Sequence, residues 1–65
     1  MVKKRDYSGM TVNERLFEAG LMDDFGDAAR RHDRRDLIRI LKKVDVPKPR
    51  RTADAIIESP QKYGY

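Results

Sequence analysis

A chain of 65 residues with 38% hydrophobic and 40% charged side chains can hold one domain at most, near the lower limit at which a single core outweighs chain entropy. It has no cysteine, which excludes disulfide staples, thiolate metal sites and thiol nucleophiles, and no apolar run approaches the roughly 20 residues of a membrane-spanning helix. The formal net charge of +4 raises the question of a nucleic-acid partner, so the placement of that charge matters.

The net charge sits at the two ends. Lys3, Lys4 and Arg5 against Asp6 leave residues 1–10 at +2, and Lys48, Arg50, Arg51 and Lys62 against Asp54 and Glu58 leave residues 47–65 at +2. Between them, over residues 11–46, eight basic side chains face eight acidic ones. The basic opening runs into Tyr7-Ser8-Gly9 and not into an apolar stretch, so no secretory signal is expected and a cytoplasmic location follows by default. Residues 1–10 show no apolar periodicity and read as a mobile basic arm.

The first helix is expected at about residues 12–19. Thr11 and Glu14 have the spacing of a capping box, in which each side chain satisfies the other's backbone N–H. Val12, Leu16 and Ala19 form one stripe with Phe17 beside it, and Gly20 supplies a left-handed end against which Leu21 can fold back. A second helix, about residues 22–32, carries Met22, Phe25 and Ala29 on one face, with Ala28 widening it. Asp23 and Asp24 at its start and Arg30 and Arg31 at its end complement the macrodipole. Gly26 weakens it by roughly 1 kcal/mol relative to alanine, so it is expected to be short or irregular.

Asp33 and Asp36 mark the start of a third helix, about residues 34–44, with Leu37, Ile40, Leu41 and Val44 on its apolar face and Ile38 at the edge of that face. Pro47-Lys48-Pro49 then breaks the pattern. After this proline linker a short fourth helix, about residues 53–59, is expected with Thr52 as its cap and Ala53, Ile56 and Ile57 as its apolar positions. Alone it is too short to be stable. Residues 60–65 read as a C-terminal tail, so the expected domain spans residues 11–59. The fold class is all-α: a small bundle of three short helices plus a short fourth.

Little in this pattern carries catalytic chemistry. His32 has neither a second histidine nor a cysteine with which to hold a metal. Asp23, Asp24 and Asp27 lack the glycine-bearing oxygen-rich loop of a calcium site, and the four glycines are scattered. No enzymatic role, metal or cofactor is expected. The run Arg30-Arg31-His32-Asp33-Arg34-Arg35 reads first as a solvated, dipole-matched face, with Asp27 placed to meet Arg30 or Arg31 and Asp36 to meet Arg39. Better candidates for phosphate or an acidic partner are Lys3, Lys4, Arg5, Lys48, Arg50 and Arg51, which have no acidic neighbours in the helical pattern. Tyr7, Tyr63 and Tyr65 fall outside all four helices and either cover the core or anchor a partner, with back-packing favoured for Tyr63.

The words Met10-Thr11-Val12-Asn13-Glu14-Arg15-Leu16-Phe17, then Gly20-Leu21-Met22-Asp23 and Phe25, resemble the opening of a group of small bacterial proteins without an assigned activity. The similarity extends more loosely through Ile38–Val44 and covers a little over half the chain. It implies a bacterial source and a folded unit that begins near Met10, and transfers no site. The function expected is a protein-binding or accessory module that contacts an unidentified protein, or a second copy, through Phe17, Ile38, Ile56 and Ile57 with Tyr63 and Tyr65. A nucleic-acid-associated protein using its basic ends is the alternative, and a regulatory or immunity-type partner a third.

Overall fold

The computed structural model describes residues 7–65, and among them all regular structure is helical. Four α-helices follow in order: α1 (Val12–Ala19), α2 (Met22–Arg30), α3 (Arg34–Lys43) and α4 (Pro49–Glu58), with a 3₁₀ turn at Pro60–Tyr63. The Thr11 hydroxyl accepts from the Glu14 N–H (3.2 Å) while the Glu14 carboxylate accepts from the Thr11 N–H (2.8 Å), closing a complete capping box. Asp33 caps α3 by accepting from the Asp36 N–H at 3.1 Å.

One backbone device ends three of these helices in turn. At the end of α1, the Leu21 N–H donates to the Leu16 carbonyl (2.9 Å) and the Gly20 N–H to Phe17 (3.1 Å), the double closure of a Schellman turn around Gly20 at φ 73°. The same pair of bonds recurs after α2, with Asp33 to Ala28 and His32 to Ala29, and after α3, with Val46 to Leu41 and Asp45 to Lys42. There the left-handed residues are His32 (φ 55°) and Asp45 (φ 59°). Such φ values cost about 1 kcal/mol in a residue with a Cβ, although Asp and His tolerate them better than most. His32 thus has a backbone role at the α2–α3 corner, where Asp33 closes one helix and caps the next.

α3 is the central element, packed against α2 and α4, while α1 packs on α2. The core comprises Leu16, Phe25, Ala28, Ala29, Leu37, Ile40, Leu41, Val44, Val46, Ala53 and Ile56, together with Tyr7. Burying each large apolar side chain contributes about 1.5–3 kcal/mol, and no buried side-chain polar atom among the described residues lacks a hydrogen-bond partner.

Four regions differ from the sequence-based expectation. Residues 7–10 form a turn, with the Met10 N–H donating to the Tyr7 carbonyl at 3.1 Å, and Tyr7 lies in the core instead of a mobile arm. So small a chain lacks apolar surface, and an amphipathic ring at its edge can supply it. α4 starts at Pro49, four residues before the expected residue 53, because proline suits a first helical position where its missing N–H costs nothing. Thr52 therefore lies within the helix and does not cap it. α2 is a regular helix, stopped at Arg30 by its Schellman turn, with Gly26 buried beneath the Tyr65 ring. The tail is ordered as well: the Tyr65 N–H donates to the Pro60 carbonyl (3.0 Å), with Gly64 left-handed at φ 85°.

Candidate interaction surfaces

Arg15 sets the geometry of the molecule's charged side. It projects from α1 to the far end of α3, where its guanidinium donates to the carbonyls of Val44 (3.1 Å) and Asp45 (2.7 Å), and back to Met10 (3.0 Å). A cation at a helix C-terminus meets the negative end of the macrodipole and satisfies carbonyls that have no helical donor. This contact spans about thirty residues of sequence, and helix periodicity gives no sign of it.

Three of the four arginines of the α2–α3 corner, Arg30, Arg31 and Arg34, are matched by carboxylates, as is Arg39 further along α3. Arg30 meets Asp27 at 2.8 Å, Arg31 meets Asp33 (3.4 Å) and Asp36 (3.6 Å), and Arg39 meets Asp36 at 2.7 Å. Arg34 reaches across to Asp54 on α4 at 2.6 Å. The hydrogen bond to Arg34 holds the Asp54 carboxyl below its ordinary value, and the same bond raises Arg34. These pairs are exposed and individually worth little, but they match each arginine of the run except Arg35, which lies exposed.

Lys48, Arg50 and Arg51 lie exposed around the start of α4, close in the chain to Lys42 and Lys43 at the end of α3. The sequence-based set omitted the two lysines. The signal was present, since only residues 44–47 separate the two groups. Lys3, Lys4 and Arg5 lie outside the described residues.

Of the six residues expected to contact protein, Ile56 is 2% exposed and belongs to the core. Ile38 and Ile57 are half-buried against that core. Tyr65 turns inward, its ring edge-on to Phe25 with centroids 5.9 Å apart, and burial raises its phenol above the ordinary value against a smaller opposing effect of Arg30. Tyr63 is the outward ring, 45% exposed, the reverse of the back-packing expected for it. With Tyr65, Val12, Phe25 and Ile56 it lines a groove of about 290 Å³ between α1 and α4.

The largest exposed apolar side chain is Phe17, at 75%, with Met22 beside it at 39%. Phe17 lies a third of a turn from fully buried Leu16 and faces away from the core. With Met10 the two line a depression of about 580 Å³, and its polar residues include Glu14 and Glu18. Asp23 adjoins Phe17 and Met22 on the other side of Gly20. Among the described residues no cation lines either side of this surface.

Among the described residues no three His, Cys, Asp or Glu side chains could together hold a metal ion, and no helix is long and apolar enough to cross a membrane. No family model, curated protein or solved structure matches the chain.

Proposed function

We propose that this chain is a small non-catalytic accessory module that binds another protein through the α1–α2 surface around Phe17 and Met22. The observation that carries the reading is the 75% exposure of Phe17 in a chain that uses even Tyr7 to complete its core. A phenylalanine ring contributes most to binding at the centre of a contact, where a partner removes it from water. In this reading the three-helix bundle with its docked fourth helix is the rigid support that holds the ring outward.

The acidic residues define the partner. Glu14 and Asp23 border the apolar patch, and no cation among the described residues lines it. A second copy docked by two-fold symmetry would bring these carboxylates against their own counterparts, which is unfavourable. The occupant that fits is an apolar segment flanked by lysine or arginine, such as a cationic amphipathic helix laid across the patch.

A designed amphipathic leucine–lysine helix is the probe. Its binding is expected to perturb the amide NMR signals of Phe17 and Met22, and Phe17→Ser should weaken it about 30-fold, equivalent to roughly 2 kcal/mol. Phe17→Ser should alter folding stability by less than about 0.5 kcal/mol, since the ring is exposed. Signals that shift only elsewhere would overturn the reading, as would a homodimer that Phe17→Ser dissociates.

A further inference from the structure

The junction between α3 and α4 concentrates positive charge that no carboxylate among the described residues pairs with. Lys42 and Lys43 close α3, Lys48, Arg50 and Arg51 open α4, and all five are exposed. Ion pairs between described residues use Arg30, Arg31, Arg34 and Arg39 and none of these five. The Arg15 guanidinium joins them, hydrogen-bonded here to neutral carbonyls. Over residues 37–53 the single carboxylate is Asp45.

Stability does not account for the arrangement. The other three helices carry acids in the first turn, Glu14 in α1, Asp23 and Asp24 in α2 and Asp36 in α3, whereas α4 carries none and places Arg50 and Arg51 there. Those two cations sit against the partial positive charge of a helix start, and folding brings like charges together. Such a placement is favourable only when something negative lies against it.

We propose that the α3–α4 corner docks on the phosphate backbone of duplex nucleic acid, through Lys42, Lys43, Lys48, Arg50 and Arg51. A membrane surface fits less well, because the apolar residues of the corner, Val44 and Val46, are buried and leave nothing to insert among lipids. An acidic protein would want an apolar centre within the charged ring, and the corner has none. Residues 37–53 also lack any aromatic side chain on which an unpaired base could stack. They contain no asparagine or glutamine to read adenine, and the contacts proposed go to phosphate, which carries no sequence information. The cations project from a turn held by the Val46–Leu41 and Asp45–Lys42 bonds and by Arg15, so they meet the duplex without first being ordered.

The test is fluorescence anisotropy of the full chain on a short duplex DNA of mixed sequence. Five phosphate contacts give a log–log salt slope near −4.5, so affinity should fall roughly 500-fold between 50 and 200 mM salt. Lys42→Gln with Lys43→Gln, and Arg50→Gln with Arg51→Gln, should each reduce the slope by about 2, with helical circular dichroism unchanged. Lys3→Gln, Lys4→Gln and Arg5→Gln together, and Phe17→Ser, should leave it as it was. The proposal fails if no binding is seen at 50 mM salt, if the corner variants bind as the parent does, or if only the residue 3–5 variant loses binding. Binding to vesicles containing anionic lipid but not to the duplex would equally overturn it.

Discussion

The α1–α2 and α3–α4 junctions close their first helices with the same pair of backbone bonds, yet they are stabilised from different distances. At α1–α2 everything is local. Thr11 and Glu14 cap the start of α1, Gly20 takes the left-handed position at no steric cost, and Asp23 and Asp24 suit the start of α2. At α3–α4 the local terms are poorer: Asp45 and Lys48 both hold positive φ, and Arg50 and Arg51 oppose the dipole of α4, which like α2 has no side-chain cap. Arg15 supplies the missing hydrogen bonds from another helix. A junction satisfied by its own sequence can leave its surface free, as the Phe17 face is. One held from a distance can carry locally unfavourable charges, and those charges become available to a partner.

Four experiments break or sharpen this contrast, from the largest effect to the smallest. Arg15→Met keeps the aliphatic stem and removes the donors, leaving the Val44 carbonyl short of a partner, and should cost about 2 kcal/mol in urea unfolding. An effect below about 0.5 kcal/mol would show that the α3–α4 junction is self-sufficient. Gly20→Ala forces a Cβ into a left-handed backbone and should cost about 1 kcal/mol, whereas Asp45→Gly relieves the same strain and should come out near neutral, since glycine gains chain entropy when unfolded. Equal losses from both would mean that the two turns are equally comfortable.

Arg50→Gln with Arg51→Gln removes repulsion at the start of α4, so thermal unfolding should occur at a higher temperature, by about 0.3–1 kcal/mol of stability at low salt. The same variant should bind duplex more weakly, and this opposition of stability and binding distinguishes a docking surface from incidental charge. The Arg34–Asp54 pair bridges α3 and α4 in the exposed layer. Because Asp54 titrates lower in the folded chain than its ordinary 3.8, its contribution is present above that pH and is lost as pH falls through the lower folded value. Asp54→Asn should therefore lower stability slightly at neutrality, where the pair is intact, and flatten the acid limb of the stability profile below about pH 4, where the pair is already being lost; an unchanged acid limb would remove the pair from the account.

Local chemistry made much of the helical layout legible from the sequence. Helix α1 follows from its capping box and Gly20, the start of α3 from Asp33 and Asp36, and the Asp27–Arg30 and Asp36–Arg39 pairs from their three-residue spacing, because these interactions lie within one or two helical turns. The candidate surfaces were only half visible. Phe17 and the cations at 48–51 stood out as residue types, but whether a ring faces the core or water depends on which stripe the neighbouring helices cover. Tyr63 faces outward against expectation, and Tyr65, for which the sequence favoured neither role, faces inward for that reason: the 3₁₀ turn at Pro60–Tyr63, closed by Gly64, carries Tyr65 back onto Phe25 and leaves Tyr63 outside.

By itself, then, the sequence determined that this chain is helical, where most of its helices begin and end, and that its net charge lies outside the balanced stretch of residues 11–46, since a helix is built from bonds between residues three and four apart. The tertiary structure decided that His32 and Asp45 would take positions glycine normally fills, that Arg15 would end α3, and that Lys42 and Lys43 would share a corner with Lys48, Arg50 and Arg51. Each of these depends on where a distant part of the chain comes to rest, and packing of the whole core sets that.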